Sequence, residues 1–284
     1  MMKPSFCEHL LLSCEIQDET IVEQDLSLSD KELALIERQE VIIQLDTELE
    51  ILDEEIRLKQ SEISEGRLIS CSNCTVSPIA ITLYPLMQIA DITSVKIATQ
   101  QALSGGGRIL LAEGRAGRQI NSEIPGEAES IITELAKILS CDFDIEASCE
   151  RVMRDHGHYA RIEVEFGEPI SAHQVVRAWR ESYSRSQELN LPSATKRPII
   201  FVDGELDDNH RWVGFEQHKH PGLDLKAAMS VAVGEVEING SKLRFSTMAD
   251  NTIRGAAGYS VLLVEQLLAD GLLHDNNTIL AQEI

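Results

Sequence analysis

Glycine is missing from the first 65 residues of this 284-residue chain; Gly66 is the first. That stretch therefore cannot hold the glycine-rich turn that lets phosphates approach the backbone at a helix start. Long apolar runs are missing too, and none reaches the roughly 20 residues needed to cross a bilayer. The opening, MMKPSFCEHLLLSCEIQDE, meets acidic residues before a signal-like apolar core or cleavage site is complete. The sequence is read as intracellular, with cytoplasmic placement expected and no membrane partner. Cations are scarce: 25 Lys and Arg stand against 47 Asp and Glu, a formal net charge of −22. Nucleic acid and anionic membrane are polyanions that repel such a chain, so neither is an expected partner. Six cysteines at this length form no dense framework, which points to reduced thiols.

The chain is long enough, at 43% hydrophobic, to bury a core of one large or two smaller domains. Residues 1–66 carry about −13 of the net charge, and this shift in composition marks a boundary. Ser29, with Glu32 three residues on, offers a capping box. From there Ile42, Leu45, Leu49, Leu52, Ile56 and Ile63 recur at spacings of three and four, broken at Lys59, and Gly66 supplies a C-cap. The expectation is one long acidic helix over 29–64. Two readings of its seam stay open, a helix lying on its own domain and a zipper that binds a protein partner. Its charge is a solvated face, with a basic partner as the alternative.

Residues 67–284 read as a second unit, in which helices interleave with strands. Strands are expected at RLISCS, VKIATQQAL, ARIEVEF, RPIIFVD, AAMSVAVGEVEI and KLRFSTMA. Helices are expected at about 75–90, at AESIITELAKIL, at SAHQVVRAWRES and from near Thr252 to Leu268. The fold class is α+β, a mixed sheet layered with helices.

In CSNCTVSPIAITLYPLMQ, Cys74 sits just ahead of a helical pattern. A helix start lowers a thiol pKa by aiming amide dipoles at the sulfur, and Pro78 suits a first turn. Nucleophile, metal ligand and core filler are all open for such a cysteine. Cys71 and Cys74 form a C-x-x-C without a second pair, so no metal is expected. A nucleophile needs a base, and RVMRDHGHYARIEVEF offers His156 and His158, of which at most one faces the site. His218 and His220 read as loop histidines, and Trp179 and Trp212 as packing residues.

Five segments, in order, resemble the aspartate-semialdehyde dehydrogenase family, above all its archaeal and fungal branch. They are SNCTVSPIAITLYPL, TQQALSGGG, IPGEAESIITELAKIL, RVMRDHGHYARIEVEF and NTIRGAAGYSVLLVEQLL. Gln101 lies 27 residues after Cys74, and His158 lies 7 after Arg151, as the family pattern has them. The resemblance implies a mixed sheet with helices packed on one face, like the catalytic domain of glyceraldehyde-3-phosphate dehydrogenase-type enzymes. It also implies a homodimer and a small-molecule substrate. The implied reaction is the NADP-dependent interconversion of aspartyl phosphate and aspartate semialdehyde through a cysteine thioester, a step of amino-acid biosynthesis. Cys74 would be the nucleophile, His158 the acid/base and Gln101 the orienting amide. Arg151 would hold the substrate carboxylate and Glu127 its ammonium, while Asn73 shapes the backbone beside the sulfur. Ser104, Gly105, Gly106 and Asn251 would lie on the cofactor side, with the SGGGR turn as an amide nest.

The sequence departs from the family at three places. Ser130 stands where the family commonly has a lysine, and a hydroxyl cannot replace that charge. Tyr159 follows the histidine and is expected to narrow the site. No glycine fingerprint precedes Cys74, so the nucleotide-binding half is expected to be replaced or lost. The 29–64 helix then becomes the expected cover for the C-terminal helix, and a non-catalytic, partner-binding relative is the alternative.

Overall fold

The computed structural model describes residues 40–42, 68–214 and 224–273. A first small unit contributes one described feature, strand β1 (Glu40–Ile42) paired with strand β2 (Leu68–Ser70). Strand at Glu40–Ile42 overturns the expected unbroken helix over 29–64. The segment Glu-Val-Ile carries two β-branched residues, which suit an extended ladder better than a helix. The rest of the expected helix lies outside the described residues, as do His218 and His220.

The main unit is built on a six-stranded mixed sheet. Its strands are β3 (Ile92–Gln101), β4 (Asp144–Arg151), β5 (His158–Phe166), β6 (Ile199–Phe201), β7 (Val231–Asn239) and β8 (Lys242–Ala249), in the order β4-β3-β5-β8-β7-β6. Strands β3 and β4 run parallel, whereas β3 with β5 and β5 with β8 run antiparallel. This topology brings the C-terminal ends of β3, β4 and β8 and the N-terminal end of β5 to one margin of the sheet. Gln101 pairs there with Arg151, Gln100 with Tyr159, and His158 with Ala249.

Alternation along each strand separates the two faces. Val95, Ile97, Ala160, Ile162, Val164, Leu243 and Phe245 are buried beneath helices. Their neighbours form a polar face with Lys96 on Glu146 (2.9 Å), Arg244 on Glu163 (2.6 Å) and Lys242 on Glu165 (3.4 Å). Such exposed pairs contribute ~0–1 kcal/mol each, so the buried face holds the sheet together. The helices are α1 (Val76–Met87), α2 (Gly107–Arg115), α3 (Glu127–Ile138), α4 (Ala172–Glu181) and α5 (Gly258–Ala269). Helix α1 is apolar on nearly every side, because it lies in the middle of the helical layer. Trp179 of α4 packs as expected: it donates from Nε1 to the Thr82 carbonyl (2.9 Å), and its ring meets Phe245 at 4.9 Å. Among the described residues, no helix is long and apolar enough to cross a membrane.

Candidate active site

Helix α1 starts at Val76 with Thr75 as its N-cap, and the turn before it places Cys74 over the sheet margin. The Asn73 side chain builds that turn, its Oδ1 accepting from the Thr75 amide (2.8 Å) and its carbonyl from the amides of Val76 (3.0 Å) and Ser77 (3.3 Å). The opposite wall is Gly255, in a π-helical turn (Ile253–Ala257) ahead of α5. A Cβ on Gly255 would lie 2.7 Å from both the Cβ and the carbonyl oxygen of Cys74, so only glycine permits this approach.

His158 meets the sulfur from the first residue of β5. Its Nε2 lies 3.2 Å from Cys74 Sγ, and its Nδ1 accepts a hydrogen bond from the Ala102 amide (3.1 Å). Gly157, just before it, has φ +91°. That conformation suits glycine, and its amide is anchored on Asn251 Oδ1 at 2.9 Å. His156 lies in the bend before β5, outside the strand, and it is His158 that pairs with the sulfur.

A second group hangs from α3. Glu127 Oε1 accepts from Gln101 Nε2 (2.5 Å), and both its oxygens accept from Asn73 Nδ2 (3.1 Å each), with Thr75 Oγ1 at 3.4 Å. Arg151 ends β4 and donates from Nη1 to the Ala102 carbonyl (2.8 Å). Gly105 lies against this group: a Cβ there would sit 2.8 Å from Arg151 Nη1 and 2.9 Å from His158 Cε1. Two turns along α3, Glu134 accepts from the Asn73 amide (2.7 Å) and from Ser130 Oγ (2.8 Å).

The electrostatics reverse one expectation. Burial, followed by the Glu127 carboxylate, raises the Cys74 pKa from 9.0 to about 11. The Thr75 hydroxyl, Arg151 and the backbone act the other way and are outweighed. The helix start therefore does not deliver a thiolate at rest; four of its amides are already occupied by Asn73 and Glu134. Burial, then the charges of Arg151 and Arg154, lower the His158 pKa to about 3. The resting pair is a thiol beside a neutral imidazole.

Two further expectations are corrected. Tyr159 does not narrow the site, since one step along β5 turns it to the opposite face. There it donates to Glu235 Oε2 (2.6 Å) and meets Ser246 Oγ (2.8 Å), and Glu235 is brought round by a bulge with φ +54°. The glycine turn is no open amide nest, because Ser104, Gly105 and Gly107 donate to the carbonyls of Asp155, Ala102 and Ser104. Asn251 braces it, with Nδ2 3.0 Å from Ser104 Oγ. A groove of about 690 Å³ on the polar sheet face, lined by Lys96, Glu146, Arg161 and Arg244, lies away from this chemistry.

No model of a known family matches the sequence. Individual proteins do. The malonyl CoA reductase (NADP) of Metallosphaera sedula is 30% identical over 227 residues, which cover 74% of this chain and 60% of that one. The aspartate-semialdehyde dehydrogenase of Archaeoglobus fulgidus is 28% identical over 221 residues, again 74% and 60%. The crystal structure of aspartate-semialdehyde dehydrogenase with NADP from Candida albicans superposes with a TM-score of 0.63 at 22% identity, covering 83% of this chain and 68% of that one. Over this stretch the chain is similar to aspartate-semialdehyde dehydrogenases. It spans about three fifths of the length of these curated relatives. Within this site, sequence reasoning missed Glu134, Gly255 and the Ala102 amide. The first was legible as α3 periodicity from Glu127; the other two act through close approach and backbone, which leave no side-chain signal.

Proposed function

We propose that Cys74 carries the acyl group in a reaction interconverting an activated carboxylate and its semialdehyde, with aspartate semialdehyde as the aldehyde. One observation carries this reading: a cysteine and a neutral histidine 3.2 Å apart, with Arg151 ending β4, the strand beyond β3 at the same margin. Cys74 adds to the carbonyl carbon, and His158 Nε2–H donates to the tetrahedral oxygen that forms, holding its charge. Gln101 is fixed on Glu127 and orients the substrate with the rest of its amide. Arg151 has donors left to grip the substrate carboxylate in a planar fork. Glu127 takes the substrate ammonium and Asn73 holds the turn beside the sulfur.

The hydride acceptor implied by the relatives is NADP, which supplies redox capacity when bound. The residues that would face its reacting end are on the glycine turn: Gly105 brings the backbone against His158 and Arg151, where a Cβ would clash, and Gly106 follows it. Ser104 and Asn251 brace the same turn. The M. sedula relative's name makes an acyl thioester, beside an acyl phosphate, a candidate for the activated carboxylate. The polar sheet face is where a second copy would pair as a homodimer, which light scattering after size exclusion reads out. A cytoplasmic role in making lysine, threonine and methionine follows from the same reading.

The test is NADP reduction driven by aspartate semialdehyde, with intact-mass detection of an acyl adduct on Cys74. Cys74→Ala should remove both signals and keep the circular dichroism spectrum. Turnover that survives in this variant excludes the thioester route. A folded wild type with no turnover and no adduct supports the non-catalytic alternative.

A further inference from the structure

At the helix start beside the sulfur, four backbone amides are already engaged by the protein. A helix start beside a nucleophile normally offers free amides to an anion. Here the Asn73 amide donates to the Glu134 carboxylate, the Thr75 amide to Asn73 Oδ1, and the Val76 and Ser77 amides to the Asn73 carbonyl. Ser130, on the face of α3 turned toward this start, gives its hydroxyl to the same Glu134. His158 is neutral, and the cation that acts on the sulfur, Arg151, faces the Glu127 carboxylate as well. A phosphate at the reacting carbon would thus meet two carboxylates and four occupied amides.

We propose that the activated carboxylate exchanged at Cys74 is an acyl thioester and not an acyl phosphate. This rests on the reading of Cys74 as acyl carrier. A thioester places a neutral sulfur where a phosphate would place two negative charges, and any charge on its thiol can lie a long flexible arm away. The step balances without a co-reactant: a bond forms between Cys74 Sγ and the acyl carbon, and the carbon–sulfur bond of the donor breaks. The donor sulfur leaves with the electron pair, and the proton lost by Cys74 ends on that thiol. No oxidation occurs in this half-reaction, so it proceeds without a nicotinamide.

The experiment compares two donors of one acyl group, succinyl phosphate and the succinyl thioester of N-acetylcysteamine. Adduct formation on Cys74 is followed by peptide mass, each rate divided by that of glutathione with the same donor. The expected result is a ratio of about 10 or more in favour of the thioester. In Glu134→Gln the ratio should fall severalfold, because the Asn73 amide loses its anionic partner, and Ser130→Lys should lower it further. A wild-type preference for the phosphate, or a ratio unmoved in both variants, overturns the inference and leaves Cys74 as acyl carrier. If a folded protein forms no adduct from either donor, the acyl-carrier reading falls, and this inference with it.

Discussion

The sharpest consequence of the site is that Cys74 should react slowly with a general electrophile near neutral pH. Its pKa of about 11, against an ordinary 9.0, is set first by burial and second by Glu127. Each pKa unit is tenfold in population, so near pH 8 an ordinary thiol is roughly one tenth thiolate and Cys74 about one thousandth. Iodoacetamide should therefore label Cys74 about 100-fold more slowly than N-acetylcysteine at that pH. Its rate should climb about tenfold per pH unit up to roughly pH 10 without a plateau. Glu127→Gln removes the second cause and keeps the shape, so labelling near pH 8 should accelerate by about 3–10-fold, or ~0.7–1.4 kcal/mol. The assay is peptide-resolved mass spectrometry of timed, pH-stepped labelling. A rate that levels off below pH 8 would mean a thiolate paired with imidazolium, and the account of burial and charge given above would be wrong.

Other consequences are checked more simply. His158 has a folded pKa of about 3, below its unfolded value of 6.5, so the unfolded chain binds more protons between these limits. Its contribution is fully present above about pH 6.5 and is lost as pH falls toward about 3, up to about 5 kcal/mol; His158→Gln should flatten the fall in urea-unfolding stability over that window. Asn251→Ala removes the acceptor for the Gly157 amide and the partner of Ser104, and should cost about 2–3 kcal/mol by the same unfolding measurement. Tyr159→Phe loses bonds to Glu235 and Ser246 and should cost ~1–2 kcal/mol while leaving Cys74 labelling unchanged; altered labelling would return Tyr159 to the site. Gly255→Ala should displace Cys74 and change its labelling profile more than any substitution on the polar sheet face, since the added carbon meets backbone as well as side chain.

Strong periodicity was legible in the sequence and weak periodicity was not. KLRFSTMA is a strand from end to end, and its alternate residues Leu243, Phe245, Thr247 and Ala249 are buried. Strand β4, DIEASCER, escaped notice because its inward positions, Ile145, Ala147, Cys149 and Arg151, are mostly small or polar. Helix α2 follows directly on a glycine turn, and Gly107 and Gly114 mask its pattern. Cys74, Gln101, Glu127, Arg151 and His158 could be named from motif spacing, yet the direction of the cysteine's pKa could not. That direction depends on the position of Glu127 and on which amides are already bonded, and both are three-dimensional facts.

The Ala102 amide decides what the histidine is able to do. A neutral imidazole has one N–H, and an Nδ1 that accepts from a backbone amide must leave that hydrogen on Nε2, facing the sulfur. Protonating the ring would set Nδ1–H against the Ala102 N–H, which acts in the same direction as burial and the two arginines. In this arrangement His158 is a ready donor to an oxygen or sulfur that gains charge. It cannot take the thiol proton unless the bond to Ala102 is given up. Under the proposed reaction, the loss of the Cys74 proton is therefore coupled to the arriving substrate, whose carboxylate engages Arg151 and whose leaving group accepts the proton. Reactivity toward the true acyl donor and sluggishness toward iodoacetamide then belong to one design, in which the sulfur ionises only when the molecule it attacks is in place.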